Sequence, residues 1–225
     1  MKICIYQQEL SGKIPDDDLN IIKSYNPEFL VLPEYFFHPD LISYDESIKY
    51  INNISKDLNC TIIGGTTVFE ENKKFYNCCY VYKSGKYIGH YCKINLFERE
   101  IGKITPGYQY KVFVIDKIKI GILICEDVLH EESWVNMKRL KPDIIFIPTF
   151  SPYKIESVEE KYLRDKNIFI KGAGISGSII VKVCSIGNYK DTKVQGRSLV
   201  CDKDHIIWRV NPEEEDKKII KNIEI

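Results

Sequence analysis

The chain has 225 residues, 44% of them hydrophobic and 28% charged, with 32 basic residues balanced by 32 acidic ones. That length allows a sizeable buried core, and a formal charge of zero gives no long-range pull toward nucleic acid or an anionic membrane. A small uncharged or weakly charged partner fits better, and neutrality leaves self-association open because it removes colloidal repulsion.

The N-terminus, MKICIYQQEL, passes straight into a strand at Lys2–Tyr6, without the basic leader, long apolar segment and small-residue site of a secretory signal. No apolar run approaches the roughly 20 residues that a membrane helix needs, so a cytoplasmic location is expected. The Asp run in PDDDLNIIKSYN suits a helix N-terminus, with room only for a short helix before a strand at Phe29–Leu32. Ile48, Ile51, Ile54 and Leu58 recur at helical spacing and predict an amphipathic helix over Tyr44–Leu58. Strands follow at Thr61–Thr67, Asn77–Lys83 and Tyr87–Lys93, the last two joined by a hairpin at Ser84-Gly85. Further strands are expected at Lys111–Val114, Lys119–Cys125 and Asp143–Pro148, with a helix over Glu131–Leu140. A helix at Val158–Ala173 and strands at Ser178–Cys184, Gly196–Cys201 and Ile206–Val210 complete the reading.

KIGILIC and IIFIP are apolar on both faces, as covered strands must be, whereas the hairpin implies antiparallel pairing. Together they indicate an α/β protein with mixed sheets, for which a four-layer αββα sandwich is one solution. No repeat, low-complexity tract or Gly/Ser linker interrupts residues 1–225, which read as one domain.

Eight cysteines are irregularly spaced and mostly lie in apolar runs, which reads as small core residues rather than a disulfide framework. The four histidines form no HxxxH-like array, and no cysteine pairs stand at zinc-ligand spacing, so no metal site is expected.

Three residues end apolar runs with chemistry to offer. Cys125 closes GILIC at a strand-to-loop turn, where α/β folds place reactive groups and where the following backbone N–H can meet an oxyanion. Two carboxylates, Glu126 and Asp127, follow it at once. Glu34 lies between an apolar strand and aromatic residues in FLVLPEYFF. Poor solvation would raise its pKa unless a cation partners it, a condition suited to proton exchange near neutral pH. Lys93 closes YIGHYCK. Each alone has a plain structural reading: a buried cysteine, an edge glutamate, a lysine where solvent begins. Together a thiol, a carboxylate and an ammonium could converge on one pocket. An unperturbed thiol, with a pKa of ~8.5, is mostly protonated at pH 7, so Glu34 would take its proton and Lys93 would stabilise the resulting charge.

These segments resemble the nitrilase superfamily of carbon–nitrogen hydrolases. LVLPEYF, HYCKINLF and GILICED stand in the family's order Glu, Lys, Cys, and IIGGTTV, Thr105-Pro106-Gly107, PDIIFIPTFSP and GRSLVCDKDHII extend the resemblance over nearly the whole chain. It implies an αββα sandwich, no cofactor, and a thioester or thioimidate on Cys125 that water hydrolyses. It also implies a second glutamate after the lysine, for which Glu100 is chosen and Glu98 is the competitor. The main chain of Glu126 would join Lys93 in the oxyanion hole, and Thr149, Phe150 and Ser151 would line the substrate pocket; apart from the resemblance, the aromatic cluster that starts at Tyr35 suggests an apolar wall for it, although such residues more often belong to a core. Asn95 departs from the family's usual histidine two places after the lysine. Family members often form homodimers or higher homo-oligomers, an arrangement that the short tail KIIKNIEI leaves open.

The resemblance favours a small linear amide or carbamoyl amine, with nitriles handled by a minority branch. An acyltransferase would use the same residues, and a non-catalytic homologue would have lost one of the three. A papain-like hydrolase would need a histidine partner, and His130 lies only five positions after Cys125.

Overall fold

The computed structural model describes residues 1–225. Its first sheet is built around β1 (Lys2–Glu9), which pairs in parallel with β2 (Phe29–Leu32); β2 pairs in parallel with β3 (Thr61–Gly64). Beyond β3 the long β5 (Lys74–Lys83) runs antiparallel to both β3 and β4 (Thr67–Glu71), and β6 (Lys86–Cys92) closes that edge. The second sheet has β8 (Ile118–Ile122), β9 (Ile144–Thr149) and β10 (Ile179–Tyr189) in parallel. Antiparallel strands β7 (Val112–Ile115), β11 (Thr192–Val194), β12 (Leu199–Cys201) and β13 (Ile206–Arg209) flank it. The last strand, β14 (Ile219–Glu224), lies antiparallel to β1, and the two sheets join where Gln8 and Glu9 of β1 meet Ser185 and Ile186 of β10.

Three apolar clusters define the layers. Between the sheets lie Ile3, Ile5, Val31, Cys79 and Tyr91 from the first, packed on Ile120, Ile122, Phe146, Val181 and Val183 from the second. Outside the first sheet, α1 (Asp16–Tyr25) and α2 (Tyr44–Asp57) cover Cys4, Leu30, Ile62 and Tyr80 with Ile22, Ile51 and Ile54. Outside the second, α3 (Glu131–Leu140) and α5 (Lys171–Ser176) cover Leu123, Ile145 and Ile180 with Trp134, Met137 and Ala173. The result is the αββα sandwich.

The predicted elements recur with instructive differences. Ser43 caps α2 in a reciprocal box with Glu46, and the apolar stripe expected over Tyr44–Leu58 faces the sheet. The run Thr61–Thr67 ends as a strand at Gly64, and a separate β4 starts at Thr67 and continues to Glu71 beyond the expectation, because Gly65 turns in the left-handed region (φ 59°) and its backbone passes so close to Pro33 that an added Cβ would lie 2.4 Å from the Pro33 carbonyl. The helix expected over Val158–Ala173 is α4 (Val158–Asp165), a π-helical stretch at Lys166–Ile170, and α5. Strands β11 and β14 were not predicted; the tail has too short an apolar run to register without its partner β1. Against the expectation of no disulfide, Cys78 and Cys92, directly opposed on β5 and β6, are bonded. Strand register brings these two together, and spacing in sequence does not reveal it. Cys4, Cys60, Cys79, Cys184 and Cys201 are free and buried.

Candidate active site

The C-terminal ends of β2, β6, β8, β9 and β10 open at one end of the sandwich, and the loops that follow them enclose a cavity of about 440 Å³. Glu34 follows β2, Lys93 follows β6 and Cys125 follows β8; all three line it.

Glu34 and Lys93 are each 1% exposed. Lys93 Nζ donates to Glu34 Oε1 at 2.8 Å and meets Glu100 Oε2 at 2.7 Å. Asn77, from β5, donates Nδ2 to Oε1 of both glutamates at 2.9 Å. Glu34 Oε2 accepts from the Phe150 N–H at 2.9 Å, and Cys125 Sγ donates to the Phe150 carbonyl at 3.3 Å. The main-chain N–H and carbonyl of one residue, Phe150, thus link base and thiol across the two sheets.

Charge on this floor is set by burial and pairing together. Burial raises the Glu34 carboxyl above its ordinary value of 4.5, more than the Lys93 ammonium lowers it. Burial also works against ionisation of Glu100, but there Lys93 and hydrogen bonds from Tyr35 and Asn77 prevail and the carboxyl is lowered. For Lys93 burial would lower the value, yet Glu34, Cys125 and Glu100 raise it overall, so the ammonium stays charged. The Cys125 thiol is raised well above 9.0 by burial and by Glu34.

Cys125 itself has φ 43°, a region that a non-glycine residue enters at a cost of about 1–2 kcal/mol. It opens a 3₁₀ turn, Cys125–Leu129, whose first bond runs from Asp127 N–H to the Ile124 carbonyl. Glu126 N–H, one position earlier, has no partner within the turn. Asp127, fully buried, explains the second acid of GILICED. Its carboxylate accepts from Ile124 N–H, Tyr91 Oη, Asn95 N–H and Asn95 Nδ2 at 2.8–3.1 Å. It pins the Cys125 turn to the loop that follows Lys93. Asn95 fills the place of the family's histidine by bonding Asp127, Tyr110 and Ser133. The Thr105-Pro106-Gly107 segment closes the same loop: Gly107 N–H donates to the Lys93 carbonyl at 2.7 Å, and an added Cβ would lie 2.1 Å from the Cys92 carbonyl.

The model of the carbon–nitrogen hydrolase family matches residues 18–225. The chain belongs to that family. This carbon–nitrogen hydrolase is 29% identical over 151 residues to omega-amidase NIT2-B of Xenopus laevis, covering 56% of the chain and 55% of that relative. It is 24% identical over 195 residues to a nitrilase of Pyrococcus abyssi, covering 85% and 70%. The chain spans about half the length of the omega-amidases it matches. An amidase from Nesterenkonia sp. AN1 superposes on 100% of this chain and 93% of its own with a TM-score of 0.85 at 16% identity. The glutamine-dependent NAD+ synthetase from Acinetobacter baumannii covers 98% and 44% with a TM-score of 0.75 at 21% identity. At such identities the structural likeness is one of fold.

The residues singled out in this hydrolase's sequence fall into two groups. Glu34, Tyr35, Lys93, Glu100, Cys125 and Phe150 line the cavity. Glu100, not Glu98, meets Lys93; Glu98 is exposed and enters no ion pair. Thr149 and Ser151 were expected to line the pocket and do not line the cavity; Glu126 was expected to serve the oxyanion hole through its main chain, whose N–H has no partner within the turn, and its side chain lies outside the cavity lining. Thr149 is buried at the end of β9 with its hydroxyl turned to the Ile147 carbonyl, Ser151 accepts Gln195 N–H through its main chain, and the Glu126 carboxylate lies 3.9 Å from His130. Sequence reading missed Asn77, although an asparagine inside the apolar run FYNCCYVY is a buried polar group that needs partners. It also missed Arg99, Lys103 and the Tyr189–Thr192 hairpin on the rim, which carry no motif.

Proposed function

We propose that this carbon–nitrogen hydrolase cleaves a non-peptide C–N bond of a small amide or carbamoyl amine through a covalent thioester on Cys125. The observation that carries the reading is the contact of Glu34 with both Lys93, at 2.8 Å, and the N–H of Phe150, the residue whose carbonyl receives the Cys125 thiol. As sulfur attacks the carbonyl carbon, its proton passes to Glu34. Lys93 and the Glu126 N–H hold the negative oxygen of the tetrahedral intermediate. The C–N bond then breaks, and Glu34 returns the proton to the leaving amine. Water attacks the thioester, giving one proton to Glu34, which passes it to the departing sulfur; a carboxylic acid leaves. Glu100 positions Lys93, so the ammonium keeps its place when Glu34 becomes neutral.

The thiol and the Glu34 carboxyl are both raised, so the resting pair holds its proton on sulfur and the base is stronger than a solvated glutamate. The relatives include a nitrilase as well as amidases, and the recurrence of amidases among them favours the amide reading. The matched relatives include omega-amidases, and the Nesterenkonia amidase has been seen with acrylamide added at its active-site cysteine. The test is ammonia release from a panel of amides, carbamoyl amines and nitriles, with and without hydroxylamine. Release from amides or carbamoyl amines that Cys125→Ala abolishes supports the reading. Product found only as hydroxamate would mean acyl transfer, and no release from any compound would contradict the proposal.

A further inference from the structure

The bonded pair Cys78–Cys92 stands directly behind the floor of the active-site cavity. Cys78 follows Asn77 on β5, and Cys92 is the last residue of β6, one place before Lys93. Side chains alternate in direction along a strand. Asn77 and Lys93 therefore face inward to Glu34 and Glu100, while the two sulfurs face outward among the residues that α2 covers. On the backbone the two pairs are neighbours: Lys93 N–H donates to the Asn77 carbonyl at 2.9 Å, and Cys78 opposes Cys92 in the adjoining rung. The disulfide is thus a covalent rung beside the catalytic ammonium, at a strand end, where hydrogen-bonded rungs open most easily.

The two sulfurs differ in access. Cys78 is fully buried, whereas Cys92 is half-buried and lines a second cavity of about 270 Å³. That cavity shares no lining residue with the one that holds Cys125. Its one carboxylate, Glu71, is offset by Lys111, so an incoming thiolate meets no net repulsion. Of the six free cysteines, only Cys125 is not buried.

We propose that Cys78–Cys92 is a redox switch on the active site, opened by a small dithiol that enters the outer cavity and attacks Cys92. The thiolate of the dithiol bonds to the Cys92 sulfur as the disulfide breaks, and Cys78 leaves as a thiolate that takes up a proton. The second thiol of the reductant then displaces Cys92, which is protonated in turn. Two electrons have passed to the protein pair, and the reductant has become a cyclic disulfide. In the reduced protein the end of β6 frays, Lys93 and Asn77 lose their fixed spacing, and the floor holds Glu34 less firmly. Reoxidation restores it. The switch rests on the hydrolase reading above only for its effect on turnover.

The test treats the native protein with dithiothreitol, removes the reagent, and follows alkylation by iodoacetamide peptide by peptide beside ammonia release from an amide. Reduction should expose Cys92 to label and lower kcat/KM by about tenfold, the lower end for loss of a charge-assisted bond. It should also move the acid limb upward and slow the alkylation of Cys125, and oxidised glutathione should reverse all of these changes. Cys78→Ala/Cys92→Ala should match the reduced protein in rate and limb and ignore dithiothreitol. A pair that resists dithiothreitol in the folded protein, or a double variant that still responds to it, would overturn the proposal. So would a fall in rate with the limb unmoved, the mark of general loosening. In a protein that turned over no amide, the hydrolase reading would fail and the Cys125 alkylation rates would still decide the switch: slower after reduction supports it, unchanged overturns it.

Discussion

Glu34 is placed where two opposite demands meet: burial favours its neutral form and Lys93 its charged form, and burial prevails. The base must be ionised to take the thiol proton, so activity should appear as pH rises through the folded-state value of Glu34. We expect the acid limb of kcat/KM to have its midpoint above 4.5, and no alkaline loss below about pH 10, because Lys93 is held above its ordinary 10.5. A limb centred at an ordinary carboxylate value would contradict that assignment. Glu34→Gln and Lys93→Ala should each lower kcat/KM by ~10²–10⁴. Asn77 serves both carboxylates through one amide. Asn77→Leu should therefore cost roughly 10–100-fold, the worth of a charge-assisted bond of ~1.5–3 kcal/mol. It should also move the acid limb upward, a shift that loose packing alone would not produce.

At the scale of elements, Glu34 and Lys93 were legible because a charged group seldom continues a covered strand, and Cys125 because the two carboxylates Glu126 and Asp127 follow its apolar run at once. Asn77 was hidden for the opposite reason, since it sits inside its strand and its partners lie 43 and 23 residues away. The GRSLV segment was legible as a motif but not in its role, which is structural. Arg197 bonds buried Asp165 at 2.8 Å, Arg209 meets the same carboxylate at 2.6 Å, and Ser198 donates to Gln7 of β1 at 2.8 Å. Arg197→Met takes one charge-assisted bond from buried Asp165 and leaves it to Arg209 and Lys182, so it should destabilise the fold by about 1.5–3 kcal/mol, measured by urea denaturation. A loss under 1 kcal/mol would mean that Arg209 and Lys182 suffice. The Cys78–Cys92 bond is likewise a matter of register. Alkylation of the denatured, unreduced protein should label six cysteines, rising to eight after reduction; eight labels in both states would show that the pair is free.

At the scale of the whole molecule, the α/β class followed from strands apolar on both faces and the αββα layering from the family resemblance, while the joining of the sheets did not, because it depends on β14 and on the parallel contact of β1 with β10. The site needs both sheets: Glu34 and Lys93 come from one, Cys125 and Phe150 from the other. Loss of activity in urea should accordingly coincide with loss of far-UV circular dichroism, and an earlier loss of activity would show that the site end opens alone. The central claim is that the Cys125 sulfur bonds the acyl carbon of the substrate. Intact-mass spectrometry of the protein quenched in acid during turnover of an amide tests it most directly. The account predicts a mass increase equal to the acyl group, mapped to the peptide bearing Cys125, removed by neutral hydroxylamine as a thioester is, and absent from Cys125→Ala. Turnover with no adduct on that peptide under any quench, or an adduct on another cysteine, would contradict it.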